Sequence, residues 1–276
     1  MSAPLAGKIA VVTGAAGGIG VDICTRLSAL GARLVLVDRR EDALNTALAA
    51  LPENSVGIAQ DLTEPDAGTH IVKTVRERCG RCDLLVNNAG MVVTEAFEQA
   101  PLAPFEQEVT LNLLAPMRLI HALFPLLQES GGQVISVVSL GGQLPLKECP
   151  GYSASKFGLR GLMLALALRE PLTGVRFSVI NPAAVDTPML RHEALNGGSA
   201  LNFLDPPHPP SLIGQAVVDR ALNPRVESDV PRGDGWLIRL VMAVPGLFTR
   251  VLPRLESRGE KGRQRYLRER GLNISE

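Results

Sequence analysis

Six short apolar runs recur along the first two thirds of the chain, each followed by a stretch with helical spacing. The runs are KIAVVTG (8–14), RLVLVD (33–38), SVGIAQD (55–61), DLLVNN (83–88), QVISVVS (133–139) and VRFSVIN (175–181). They are continuous rather than alternating, so they read as strands buried on both faces. Residues 18–30, 41–51, 64–79, 104–129 and 152–172 read as helices between them. Such alternation predicts an α/β fold: a doubly wound parallel sheet with helices on both faces and right-handed crossovers.

The pattern changes near residue 182. NPAAVDTPMLRHEALNGGSALNFLDPPHPP is rich in turn residues, with a short helix predicted at 189–196. A helix follows at 211–223, and RVESDVP supplies a short final strand. No linker separates a second domain, so residues 1–235 are expected to form one catalytic unit, followed by a C-terminal helical extension over 236–276. At 276 residues the chain can bury a large core without a staple.

Charge excludes one function class. Lys plus Arg and Asp plus Glu are 28 each, so there is no global basic field to draw nucleic acid. The N-terminal MSAPLAGKIAVVTG enters a strand without the signature of a signal peptide, and no run of about 18 uninterrupted apolar residues suggests a membrane span. These features predict a cytoplasmic protein. Four cysteines occur, two of them in CGRC (79–82). That pair closes a helix and precedes a strand, the reverse of a thioredoxin-like site, and no second pair completes a zinc set. They are expected to be reduced thiols, and no metal is expected.

The loop TGAAGGIG (13–20) joins the first strand to the first helix. Gly14, Gly18 and Gly20 let the chain turn tightly, and the helix N-terminus offers free N–H groups and a positive dipole end to a pyrophosphate. Asp38 ends the second strand, where a carboxylate can accept hydrogen bonds from an adenosine ribose; its other reading is a helix N-cap. The same carboxylate repels a 2′-phosphate, whereas Arg39 and Arg40 would attract one. The ribose-binding acid is taken as decisive, so NAD is expected in preference to NADP.

These features fall in the order of a known family. TGAAGGIG, Asp38, DL (61–62), NNAG (87–90), LNLLAP (111–116), Ser139, YSASK (152–156) and NPAAVDTP (181–188) together resemble the short-chain dehydrogenase/reductases over about residues 7–190. The resemblance implies a Rossmann-like fold and a dinucleotide cofactor. It places Gly14, Gly18, Ile19 and Gly20 along the pyrophosphate, Asp38 and Arg39 at the ribose end, and Asp61 and Leu62 beside the adenine. It implies that Asn88, Ala89 and Gly90 support sheet and cofactor, and that Pro182, Val185 and Thr187 lie at the nicotinamide. Asn112, Ser139, Tyr152 and Lys156 match the catalytic tetrad, the last two also touching the cofactor. Ala183 departs from the more usual Pro-Gly and removes backbone freedom there. A homodimer or homotetramer is implied as well.

The chemistry of the pair is also physical. Residues i and i+4 share a helix face, so Lys156 can stand near the Tyr152 phenol. A nearby cation, and the charge of an oxidised nicotinamide, favour phenolate and are expected to lower the tyrosine pKa. Such a group can take a proton from an alcohol or give one to a ketone. Ser139, at a strand end, is expected to hold the substrate oxygen, and Asn112 to order a water that connects Lys156 to solvent.

Met91, Val92, Val93, Leu140, Leu144, Leu146, Met189, Leu190, Leu201, Phe203 and Leu204 are candidate lining for a substrate. They are apolar, which predicts a hydrophobic alcohol or ketone of steroid-, retinoid- or lipid-like kind. His192 and His208 read as surface or loop residues. The tail begins apolar, is interrupted by Pro245 and Pro253, and turns basic. It suits packing over the substrate mouth or a neighbouring subunit, or an interfacial helix that makes peripheral contact with an anionic membrane. The expected function is an NAD(P)-dependent oxidoreductase. The alternatives are a catalytically silent dinucleotide sensor and a membrane-peripheral scaffold on the same fold.

Overall fold

The computed structural model describes residues 3–272; residues 1–2 and 273–276, at the outer ends of the two expected segments, lie outside them. Seven parallel strands form one sheet in the order β3-β2-β1-β4-β5-β6-β7. They are β1 (Ile9–Thr13), β2 (Arg33–Asp38), β3 (Val56–Ala59), β4 (Leu84–Asn87), β5 (Gln133–Val137), β6 (Arg176–Pro182) and β7 (Glu227–Val230). The strand order reverses between β1 and β4, which opens a crevice at their carboxyl ends.

Alternate residues of the central strands feed two cores. Ala10, Val12, Leu34 and Leu36 meet Ile23 and Leu27 of α1 (Gly18–Ala29) and Ile213 and Val217 of α9 (Pro210–Leu222). Val11, Val35 and Leu85 face the other way, onto α3 (Ala67–Cys79), α5 (Ala115–Ser130) and α6 (Pro150–Ala167). The edge strand β3 departs from the expected double burial: Val56 and Ile58 are buried while Gly57 and Ala59 are exposed. Val56 and Ile58 pack with Ile71 and Val75 of α3, whereas Gly57 faces Leu44 and Leu48 of the second helix, α2 (Glu41–Ala49), and has no side chain to bury there.

Local departures have local causes. The helix expected at 64–79 starts at Ala67, and that expected at 152–172 starts at Pro150. Proline suits the first helical turn because its missing N–H would have no partner there. The latter helix ends at Ala167, and a separate turn, α7 (Glu170–Thr173), closes on Gly174 at φ 70°. The segment expected as one helix over 104–129 is α4 (Ala103–Val109), a π-helical turn at Thr110–Leu114, and α5. This continuous 28-residue helix has the length and composition of a membrane span, with a mean hydropathy of 1.4 over an 18-residue window. Its inward residues Leu119, Leu123 and Leu127 are nevertheless buried in the core.

The tail is largely helical in its described part. After α8 (Pro188–Asn196) and a 3-10 turn at Ala200–Phe203 come α10 (Asp234–Met242) and α11 (Pro245–Glu269). Pro245 opens α11 rather than breaking a segment, and Pro253 is absorbed within it. The helix lies tightly on the 3-10 turn: a Cβ on Gly259 would run into the Ala200 carbonyl, and one on Gly262 into that of Phe203. Tyr266 and Leu267 then complete a small core with Leu190, Ala194 and Phe203.

Candidate active site

The cofactor groove is built largely from backbone. Gly14 follows β1 at φ 60°, and a Cβ there would stand 2.9 Å from the Ala89 Cα, so the loop needs glycine for both angle and space. A Cβ on Gly20 would strike the Gly14 carbonyl. Gly18 is different: its added Cβ would meet nothing nearer than Pro188 Cδ at 3.7 Å. The room kept at Gly18 faces a groove of about 420 Å³ lined also by Ile19, Asp38, Arg39, Asp61 and Leu62. No side chain caps α1 and no acid lies in its first turn. An open cradle against an uncapped helix N-terminus fits a pyrophosphate.

At the far end, Asp38 accepts from the Ala16 N–H at 3.1 Å and from the Arg40 backbone N–H at 3.1 Å. The Arg40 side chain adds a fork, Nε to Oδ1 and Nη2 to Oδ2, each 3.1 Å. The helix cap is Arg40 itself, so Asp38 is not the N-cap of α2. Burial pushes the Asp38 carboxyl up, but the Arg40 and Ala16 hydrogen bonds outweigh it and hold the group below the usual range. The Arg40 side chain is 55% exposed, so the pair is worth about 1 kcal/mol or less and can open for a ligand. Asp61 is held by Thr63, whose N–H and hydroxyl donate at 2.8 and 2.7 Å.

Thr13 ties the glycine loop to the end of β4. Its hydroxyl accepts from the Asn88 and Ala89 N–H groups, and Asn88 Nδ2 donates to the Thr13 and Gly14 carbonyls at 3.1 and 3.2 Å. Beyond them, Gly90 leaves space between Asn112 and Lys156. Asn112 sits in the π-helical turn, fully buried. Its amide is spent: Oδ1 accepts from Met91 N–H at 2.9 Å, and Nδ2 donates to the Met91 carbonyl at 2.9 Å and to Ser155 Oγ at 3.1 Å. The side chain therefore fixes the Met91 loop.

Ser139, Tyr152 and Lys156 come together as expected. Ser139 Oγ accepts from the Gly141 N–H at 2.9 Å and lies beside the Tyr152 ring. The Lys156 ammonium lies 5.5 Å from the Tyr152 ring centre and 3.4 Å from the Val137 carbonyl. Burial lowers Lys156 to about 8, opposed by the Glu108 charge. Tyr152 does not follow the predicted direction. Burial pushes its phenol above the ordinary value, the Ser139 hydroxyl opposes this, and the Glu193, Cys149 and Glu108 charges add to the rise.

The sequence reading missed those two acids. Glu108 of α4 is fully buried, receives the Val93 N–H at 2.9 Å on Oε1, and has no partner at Oε2. Burial raises it to about 7, against the Val93 hydrogen bond and the Lys156 charge. Glu193 of α8 is raised to about 7, again by burial, with Asn202 opposing and Glu108 reinforcing. Glu193 shares the inward face of α8 with Leu190 and Ala194, a 3-4 spacing visible in the sequence. All four cysteines are free, and burial pushes Cys24, Cys82 and Cys149 up to about 12.

Above Tyr152 opens a second cavity of about 410 Å³. Leu140, Leu144, Leu146, Met189, Leu190, Leu201 and Leu204 line it as expected. Met91 lies in the cofactor groove instead, and Val92, Val93 and Phe203 line neither; Phe203 packs beneath, on Tyr266. His208, expected as a loop residue, lines the cavity while its backbone pairs with Val185. The tail supplies a wall through Ile238, Val241, Phe248, Val251 and Leu255. Pro182 and Val185 also line it, and Thr187 caps α8 by accepting from the Leu190 N–H at 3.3 Å. No residue other than glycine has positive φ among the described residues, so Ala183 bears no strain where glycine is more usual.

The two spaces meet along Ile19, Asn88, Gly90, Thr187 and Met189, which line both. A family model described as short chain dehydrogenase matches residues 8–196. The chain belongs to the short-chain dehydrogenase family. It is 31% identical over 209 residues to the 3-beta-hydroxysteroid dehydrogenase of Comamonas testosteroni, covering 75% of this chain and 82% of that one. It is 33% identical over 190 residues to the 3-alpha-(or 20-beta)-hydroxysteroid dehydrogenase of Mycobacterium tuberculosis, covering 68% and 73%. The solved L-sorbose reductase of Gluconobacter frateurii, complexed with NADPH and L-sorbose, superposes with a TM-score of 0.74 at 26% identity, over 83% of this chain and 97% of that one. This short-chain dehydrogenase is therefore an NAD(P)-dependent oxidoreductase, acting generally between alcohol and ketone.

Proposed function

We propose that this dehydrogenase interconverts a secondary alcohol and a ketone on a hydrophobic, steroid-, retinoid- or lipid-like substrate, using NAD in preference to NADP. The carrying observation is that Tyr152 and Ser139 stand in an apolar cavity continuous with the glycine-lined groove. Bound NAD supplies the hydride acceptor or, reduced, the donor. Ser139 holds the substrate oxygen, and Tyr152 moves the proton between that oxygen and the protein. Lys156 places positive charge beside the phenol, and Asn112 fixes the loop behind it. Burial alone keeps the phenol protonated, the form that donates to a ketone. Oxidation needs the Lys156 cation, which is present below about pH 8.

The hydroxysteroid dehydrogenase relatives support the substrate class, as does the leucine-rich wall. Asp38 supports NAD, although Arg40 already neutralises part of its charge. Residues 1–235 are read as the catalytic unit and 236–276 as the extension that closes its cavity. Exposed Met117 and Phe157, on the outer faces of α5 and α6, support a homodimer or homotetramer. Tyr152→Phe tests the core of this reading: NADH production from a panel of hydrophobic alcohols should vanish while NAD binding persists. Turnover retained in that variant would sink it. Dinucleotide binding by the wild type with no turnover of any alcohol or ketone would favour a silent sensor.

A peripheral membrane contact is a second reading. Trp236, Leu240 and Val244 follow one another at four-residue spacing and are 67%, 57% and 57% exposed. Arg250 and Arg254 follow on the next helix, both exposed. An apolar ridge beside cations suits an anionic bilayer. Vesicles containing phosphatidylserine should retain the wild type and release Trp236→Glu/Leu240→Glu; equal retention would remove the idea.

A further inference from the structure

The substrate cavity has a polar group that the hydride chemistry does not use. Glu193 is 7% exposed, and its side chain reaches the cavity that Tyr152 and Ser139 line. Asn202, on the same wall, donates Nδ2 to Glu193 Oε2 at 2.8 Å. Glu193 Oε1 accepts no hydrogen bond among the described residues, yet it is not one of the polar atoms sealed from solvent. The stem cannot swing freely, because Gly198 packs so close that a Cβ there would overlap the Glu193 Cβ and Cγ. The carboxyl is thus held by one oxygen and presents the other. Around it the cavity wall is largely Leu, Met, Val and Phe.

A buried acid with an unused oxygen is costly unless something completes it. We infer that Glu193, held by Asn202, is a specificity residue that binds a hydroxyl group carried by the hydrophobic substrate in addition to its reacting oxygen, making the substrate a hydroxyketone or the corresponding diol. The inference rests on the substrate reading above. A hydroxyl is favoured over other polar groups by chemistry. It donates to a carboxylate and accepts from a carboxylic acid, so it suits either state of a group raised to about 7. A ketone oxygen would be matched only by the acid, and an ammonium only by the anion. Glu193 also acts electrostatically on Tyr152, which places the second hydroxyl in the same chamber as the reacting carbon.

The test compares binding before turnover. Steroid monoketones and their singly hydroxylated counterparts would be titrated calorimetrically into the NAD-loaded full chain, as wild type, Glu193→Leu and Glu193→Gln. At least one hydroxylated member should bind the wild type more tightly than its parent, by roughly 10-fold. Glu193→Leu should erase that ratio, and Glu193→Gln, which keeps a donor and an acceptor, should restore part of it. Equal affinities throughout the wild-type pairs, or a ratio that survives Glu193→Leu, would overturn the inference. NAD affinity of each variant reports whether the fold is intact. Turnover of the same compounds is scored separately: a retained ratio without turnover would sink the reaction reading while leaving this one standing.

Discussion

The cofactor groove and the substrate cavity are nearly equal in volume, about 420 and 410 Å³, and are built in opposite ways. The groove is made of short contiguous stretches in which the backbone is the working surface. Gly14, Gly18 and Gly20 serve by lacking side chains, and one turn of chain carries them all. The cavity is made of side chains drawn from β5 and β6, α8, the 3-10 turn, α10 and α11. Glu193 in its wall and Glu108 behind it come from helices 85 positions apart and sense each other only through the fold. A glycine-lined turn can be written locally, whereas an apolar cavity must be assembled.

Perturbing each side separately sharpens this contrast. The largest effect is expected where the two spaces meet. Tyr152→Phe should lower kcat by roughly 100- to 10,000-fold, the range of a proton-transfer group, with the NADH dissociation constant changed little in a fluorescence titration.

Next comes the acid pair. Both glutamates have folded-state pKa values raised from 4.5 to about 7, so their favourable contribution is present below pH 4.5 and is lost as pH rises through 7. Each should cost on the order of 3 kcal/mol across that window. The carboxylates lowered by their partners, such as Asp38, Asp83 and Glu227, titrate below it. Lys156, lowered to about 8, favours the native state only as pH rises above that value. Urea unfolding at pH 5 and pH 7.5 should therefore show a fall in stability that Glu108→Gln reduces by about half. Glu95 and Glu193 add to the rise of Glu108 and Lys156 alone opposes it, so an unchanged slope would mean that Lys156 already compensates the burial.

A smaller effect is expected from the tail. Gly262→Val should lift α11 off the Phe203 carbonyl and raise KM for a hydrophobic ketone by roughly 10-fold, the scale of lost apolar contact, with NAD affinity retained. A matching loss of NAD affinity would show that the two sides are not separable. The smallest belongs to Tyr266, whose hydroxyl donates to Asp186 Oδ1 at 2.7 Å while Arg270 Nη2 donates to Oδ2. Tyr266→Phe should cost about 1.5 kcal/mol in thermal or urea unfolding.

The legible part of the molecule follows the same division. Strands β1, β2 and β4 match the apolar runs because central parallel strands are buried on both faces, which writes continuous hydrophobicity into the sequence. Ser139, Tyr152 and Lys156 were found because their spacing and neighbours form short ordered motifs. Asn112 was located, but its contact with the Met91 backbone was not foreseen, since the π-helical turn that aims it there has no sequence signature. Tyr152 was expected to be lowered by Lys156, a pairwise argument that neglected the burial dominating it. Glu193 shares the apolar face of α8 with Leu190 and Ala194, yet that spacing could not say which cavity the face would meet.

By itself the sequence determined the parallel sheet, the glycine turn after β1 and the approach of Tyr152 to Lys156, because strand burial, helix phase and glycine tolerance are properties of neighbouring residues. The tertiary structure decided what covers the substrate, which acids share the chamber and how the phenol is tuned. Those depend on desolvation and on contacts between distant segments, such as Gly262 on Phe203 and Tyr266 on Asp186, and such terms exist only once the chain has closed on itself.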